Sequence, residues 1–196
     1  VTVTKHGTHP PSDFDAAIAS LRQADVRPEV VLERIPAPAR LAPHALALSA
    51  SVNDGPGEDA TELATGRFIL LHDPAGQQLW QGTFRIVTYL RAELDAQMGN
   101  DQLLGSVAWT WLVEALTQHR AAHTLAGGTA TRVLSENFGA LTGQQAHTDI
   151  ELRASWTPTG ERLRSHLEAW IDMVASFAGL PPLPEGVTPF PGQRLT

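Results

Sequence analysis

The chain has 196 residues, 42% of them hydrophobic and 18% charged, a balance that suits one globular domain with a sizeable core. Cysteine is absent, which excludes disulfides, thiolate-held zinc, iron–sulfur clusters and cysteine nucleophiles and suits a cytoplasmic location. The formal charge of −7 argues against direct nucleic-acid binding through the overall field, and no apolar run is long enough to span a membrane.

Residues 1–11 show no periodicity and are expected to be a flexible N-terminus. Ser12 can cap a helix in which Phe14, Ile18 and Leu21 recur at helical spacing. After Pro28, the β-branched run Glu29 to Ile35 predicts a strand that stops at Pro36 and Pro38, and a second strand follows over His44 to Val52. Asn53 to Asp59 is turn chemistry and predicts a mobile loop before a third strand near Arg67.

Asp73-Pro-Ala-Gly76 combines a turn former, a fixed φ and a glycine, so an antiparallel hairpin is expected to reverse there. The strand after it alternates. Phe84, Ile86, Thr88, Leu90 and Ala92 share the packed side, and Arg85, Val87, Tyr89, Arg91 and Glu93 share the wet side. Asn100 or Asp101 can cap a helix through about His119, apolar over much of its circumference. Such a helix is either central to the core or packs on another subunit.

Gly127-Gly128 punctuates, and strands are expected over Thr129 to Glu136 and Thr148 to Trp156. Thr157-Pro158 looks like the start of a last helix with Leu163, Leu167, Trp170, Val174 and Phe177 as its buried stripe, ended by Gly179. Residues 181–196 form a Pro-rich tail. The organisation is thus one α+β domain over 12–180, in the order α-β-β-β-β-α-β-β-α. It should hold a mainly antiparallel sheet of about six strands with its three helices on one face. The element order resembles that of secretion-chaperone-like folds, which have three strands before the central helix.

Arg85, Tyr89, Arg91 and Arg153, with Arg132 joining from its own strand, are the candidate ligand-binding residues. Guanidinium groups around an aromatic ring can hold a carboxylate, phosphate or nucleobase. The plainer account sets Glu93, Glu136 and Glu151 across from them as cross-strand ion pairs, and it is preferred. His119 and His123 have i, i+4 spacing, but no third ligand is fixed by sequence, and a dipole-favoured histidine at a helix end is the simpler account, so no metal site is assigned. His72-Asp73 points to opposite faces of a strand, Ser135 and Ser155 lack a nucleophile elbow, and no P-loop or dinucleotide fingerprint occurs. No catalytic residue and no cofactor is therefore assigned. Trp80, Trp111, Trp156 and Trp170 are expected in the core. Trp109, with Leu112, Val113 and Leu116, is the candidate interface.

Ten peptides together carry a family resemblance: Arg27-Pro-Glu-Val30, Ile35-Pro-Ala-Pro38, Leu41-Ala-Pro43, Leu63-Ala-Thr-Gly-Arg67, Leu70-Leu-His-Asp-Pro-Ala-Gly76, Trp80-Gln-Gly-Thr-Phe-Arg85, Tyr89-Leu-Arg-Ala-Glu93, Thr131-Arg-Val-Leu-Ser-Glu136, Glu151-Leu-Arg-Ala-Ser-Trp-Thr-Pro158 and His166-Leu-Glu-Ala-Trp170. Over about Asp13 to Glu185 the chain resembles the actinobacterial family catalogued as domain of unknown function 3000. That resemblance implies no activity, cofactor or catalytic residue. Its members' genes often neighbour a ribonuclease D, which implies a link to RNA metabolism. The expectation is a cytoplasmic, non-enzymatic interaction or adaptor domain with an unidentified protein partner, forming a homodimer through the central helix. A binder of, or enzyme acting on, a small anionic ligand at the arginine-bearing sheet face is the alternative.

Overall fold

The computed structural model describes residues 12–55, 60–94, 103–143, 146–160 and 162–181. The expected N-terminal arm, most of the Pro-rich tail, the caps Asn100 and Asp101 and part of the expected mobile loop lie outside them. In chain order the described elements are α1 (Ser12–Leu21), β1 (Val30–Ile35), β2 (His44–Asn53), β3 (Glu62–Gln77), β4 (Gly82–Leu94), α2 (Leu104–Gln118), β5 (His123–Ser135), β6 (His147–Pro158) and α3 (Leu163–Phe177), with a 3-10 turn at Gly139–Leu141. The α+β class and the element order are as expected.

All neighbouring strands are antiparallel, in the spatial order β1-β2-β3-β4-β6-β5. The connection from β4 through α2 passes over β6 and returns at the edge, so among the described residues β5 has a neighbouring strand on one side only. Register puts Ala64, Gly66, Phe68 and Leu70 beside Ile86, Leu90 and Ala92, and these beside Ile150, Leu152, Ala154 and Trp156. All are buried under the helices, so the alternation of apolar residues in β4 and β6 is what assigns the inner face.

α3 is the central helix. It touches β1 to β4 and both other helices, which buries not only Leu163, Leu167, Trp170, Val174 and Phe177 but also Ile171, Met173 and Ala175. Its end is a Schellman arrangement. Gly179 takes φ 79°, and Leu180 N–H donates to Ala175 O at 3.0 Å. Close approach of the indole of Trp170 to β3 requires Gly66, where a Cβ would lie 2.8 Å from the Trp170 ring and 3.1 Å from the Tyr89 carbonyl.

Several local expectations are corrected. Asp73-Pro-Ala-Gly76 is a bulge within β3 rather than the reversal. Asp73 Oδ1 accepts from Ala75 N–H at 3.1 Å, Oδ2 accepts from Gln77 Nε2 at 3.1 Å, and Gly76 takes φ 72°. The side chain thus satisfies the bulge internally. The chain reverses at Gln78–Gln81, with Trp80 half-buried in the turn rather than on a packed strand. β3 begins at Glu62, five residues before the expected Arg67, and β5 begins at His123 and runs through Gly127-Gly128. Thr157-Pro158 ends β6 instead of opening α3, because both residues are held in the ladder to Thr124 and His123 of β5, with the Thr157 hydroxyl donating to the Trp80 carbonyl at 2.6 Å and accepting from Arg85 at 3.0 Å.

Candidate binding groove on the open sheet face

Two transverse rows of side chains define the outer face. One runs Glu33, Ser49, Arg67, Tyr89, Arg153, Thr129, and the next runs Ile35, Ala47, Ile69, Val87, Ser155, Gly127. Their small members leave a depression. Ser155 and Gly127 adjoin the bulkier Val87 and Arg153, and the result is a groove of about 600 Å³ lined by Arg67, Ile69, Val87, Tyr89, Arg153 and Ser155. Its floor is apolar and its flank cationic.

The expected arginines fall into three states. Arg91 Nη2 donates to Asp149 at 2.8 Å, and that carboxylate is 6% exposed, so the pair holds the Arg91 pKa above its ordinary value. Arg153 pairs with Glu151 at 2.8 Å while its guanidinium lies 5.2 Å from the Tyr89 ring centroid. The Tyr89 hydroxyl donates to Glu151 at 3.0 Å; burial, and then that bond, raises the phenol pKa. Among the described residues Arg85 meets no carboxylate. It donates to Ser155 Oγ at 2.7 Å, Thr157 Oγ1 at 3.0 Å and the Leu125 carbonyl at 3.1 Å, fastening β4, β6 and β5 together. Burial pushes its pKa down.

Arg85, Arg91 and Arg153 therefore do not converge as free cations. Cross-strand ion pairing is present in Arg91–Asp149, while Arg153 takes Glu151 from its own strand, and neither Glu93 nor Glu136 pairs with these arginines among the described residues. Arg132 is corrected outright, since it registers with Ile150 and so stands on the helix-bearing face. Arg67 was missed. It is exposed, and among the described residues it makes no hydrogen bond or ion pair. The signal for it was the alternation through Phe68 and Leu70, which carries back one residue once β3 is known to start before Arg67.

The candidate interface residues also separate. Leu112 and Leu116 are 0% and 1% exposed and belong to the core, because α2 packs on both α3 and the sheet. Trp109 is half-buried within the chain over Gly128, where a Cβ would sit 3.0 Å from its ring and 2.6 Å from the Arg153 carbonyl. Val113 alone of the four is exposed. The glycine pair that looked like punctuation is thus the seat of Trp109.

The histidines part company as well. α2 ends before His123. His119 Nε2 lies 2.6 Å from Asp172 and Nδ1 lies 3.9 Å from Glu168, and the bond to Asp172 raises its pKa. His123 Nδ1 instead faces the Ala121 carbonyl at 2.8 Å. His72 is sealed inside. It stacks on Phe84 at 4.2 Å, with Nδ1 3.1 Å from the Thr83 carbonyl and Nε2 without a partner among the described residues, and burial lowers its pKa. No group of three or more metal-ligating side chains occurs among the described residues, and no described helix is long and apolar enough to cross a membrane.

A family model described as Protein of unknown function (DUF3000) matches residues 10–188. No curated protein and no solved structure matches the chain.

Proposed function

The chain belongs to the Protein of unknown function (DUF3000) family, and we propose that it is a cytoplasmic, non-enzymatic adaptor that docks a protein partner in the groove of its open sheet face. The observation that carries this reading is Arg67, an exposed cation without a partner among the described residues, at the edge of an apolar floor formed by Ile69 and Val87. A segment that sets a carboxylate against Arg67 and an apolar side chain on that floor suits the site. The neighbouring Tyr89–Glu151–Arg153 network contributes a rigid wall, because every member is held by another.

The test places a photo-crosslinking amino acid at Val87 in the native cell. A discrete protein adduct that disappears with Arg67→Glu supports the reading, and absence of any groove-dependent adduct overturns it. A small anionic ligand is the second reading, favoured by Arg67 beside Tyr89 in a volume of about 600 Å³. Native mass spectrometry separates the two. A bound mass of a few hundred daltons, lost with Arg67→Glu, selects the small ligand.

A further inference from the structure

We propose that the chain self-associates through its edge strand, β5 pairing antiparallel with β5 of a second copy about a two-fold axis at Leu134. The sheet then continues from one copy into the other. β5 is a 13-residue edge strand without proline, and its bulge lies at Thr124–Gly127, leaving regular strand from Gly127 to Ser135. Most of its residues are exposed.

Large exposed apolar side chains gather at this edge. Leu125, Val133 and Leu134 lie on the strand, and Phe138 and Leu141 lie just beyond it, Leu134 being 63% and Phe138 76% exposed. The ladder to β6 ends at Ser135 opposite His147, yet Phe138 is still extended, with φ −128° and ψ 162°. The strand therefore overhangs its partner, and the overhang carries the most exposed aromatic of the region.

Charge selects the second copy as occupant. Antiparallel pairing centred on Leu134 puts residue 132 opposite 136, 133 opposite 135 and 130 opposite 138. Arg132 of each copy then faces Glu136 of the other, the two Leu134 side chains meet on the axis, and Phe138 covers Ala130. Two opposite-charge pairs flank an apolar centre, and neither like charge faces its own kind. Centring on Arg132 instead would oppose two guanidinium groups.

The association uses β5 and leaves Arg67, Ile69 and Val87 untouched, so it stands or falls independently of the groove. Light scattering after gel filtration should give twice the 21.1 kDa chain mass. Arg132→Glu alone and Glu136→Arg alone should each be monomeric, and mixing the two should restore a one-to-one dimer, which also shows that both variants fold. Because the chain has no cysteine, Leu134→Cys provides a second measurement. It should oxidise to a cross-linked dimer, since directly opposed residues lie within disulfide reach, while Thr124→Cys, outside the overlap, should not. A wild-type monomer at ~100 µM overturns the proposal. So do singly charge-reversed variants that remain dimers, a mixture that stays monomeric, or equal cross-linking at Thr124.

Discussion

Acidification from pH 7 to pH 5 should destabilise the fold mainly through His166. This imidazole is 1% exposed. Its Nδ1 accepts from the Trp156 indole N–H at 3.0 Å, and the Ala122 backbone also hydrogen-bonds to the ring. Burial holds its pKa down at about 4, against 6.5 for an unperturbed histidine. A depressed histidine contributes stability that is fully present above 6.5 and is lost as pH falls toward 4, because only the unfolded chain takes up the proton in that window. At pH 5, protonation favours the unfolded chain by a factor of about 33 and the native chain by about 1.1, a ratio of roughly 30, or ~2 kcal/mol. With a denaturant slope near ~2 kcal/mol per molar, the urea midpoint drops by about 1 M.

Glutamine can accept from Trp156 and donate to Ala122 without titrating, so His166→Gln serves as the control. Urea unfolding followed by tryptophan fluorescence at pH 7, 6 and 5 gives the comparison, and the wild-type loss at pH 5 should exceed that of His166→Gln by about 2 kcal/mol. Equal losses in the two proteins refute the reasoning. So does an imidazole resonance of His166 that titrates near 6.5.

Three further outcomes follow from packing and pairing. Gly66→Val should destabilise by about 1–3 kcal/mol or more, since even a Cβ would lie 2.8 Å from the Trp170 ring; an unchanged thermal midpoint contradicts that contact. Leu112→Ala should cost about 2–5 kcal/mol in urea unfolding and Val113→Ala under ~1 kcal/mol, because the first is 0% and the second 37% exposed; equal effects would mean that α2 does not bury Leu112. His119 acts with the opposite sign to His166. Its pKa is raised by the Asp172 hydrogen bond, so its contribution is full below 6.5 and fades as pH rises through the folded-state pKa. His119→Gln should therefore flatten stability against pH above 6.5, and an unaltered slope there counts against the pair.

What was legible locally came from periodicity. Alternation in Phe84 to Glu93 and Ile150 to Trp156 gave both faces of two central strands, and helical spacing in Leu163 to Phe177 gave the stripe of α3, because each pattern is set by backbone geometry alone. Turn chemistry was legible as chemistry but not as topology. Asp73-Pro-Ala-Gly76 bends the chain as its residues require, yet the strand continues through it, since pairing between Gln77 and Gly82 stabilises a longer hairpin.

The residues themselves determined an α+β chain with one wet sheet face carrying Arg85, Tyr89, Arg91 and Arg153. Tertiary structure alone decided their states. Whether an arginine is spent or available depends on which carboxylate the register sets beside it, and register is a property of two strands rather than one. That is why Asp149 of β6 neutralises Arg91 of β4, Arg132 falls on the other face, and Arg67 is left exposed beside the groove, whereas Arg153 is paired within its own strand by Glu151.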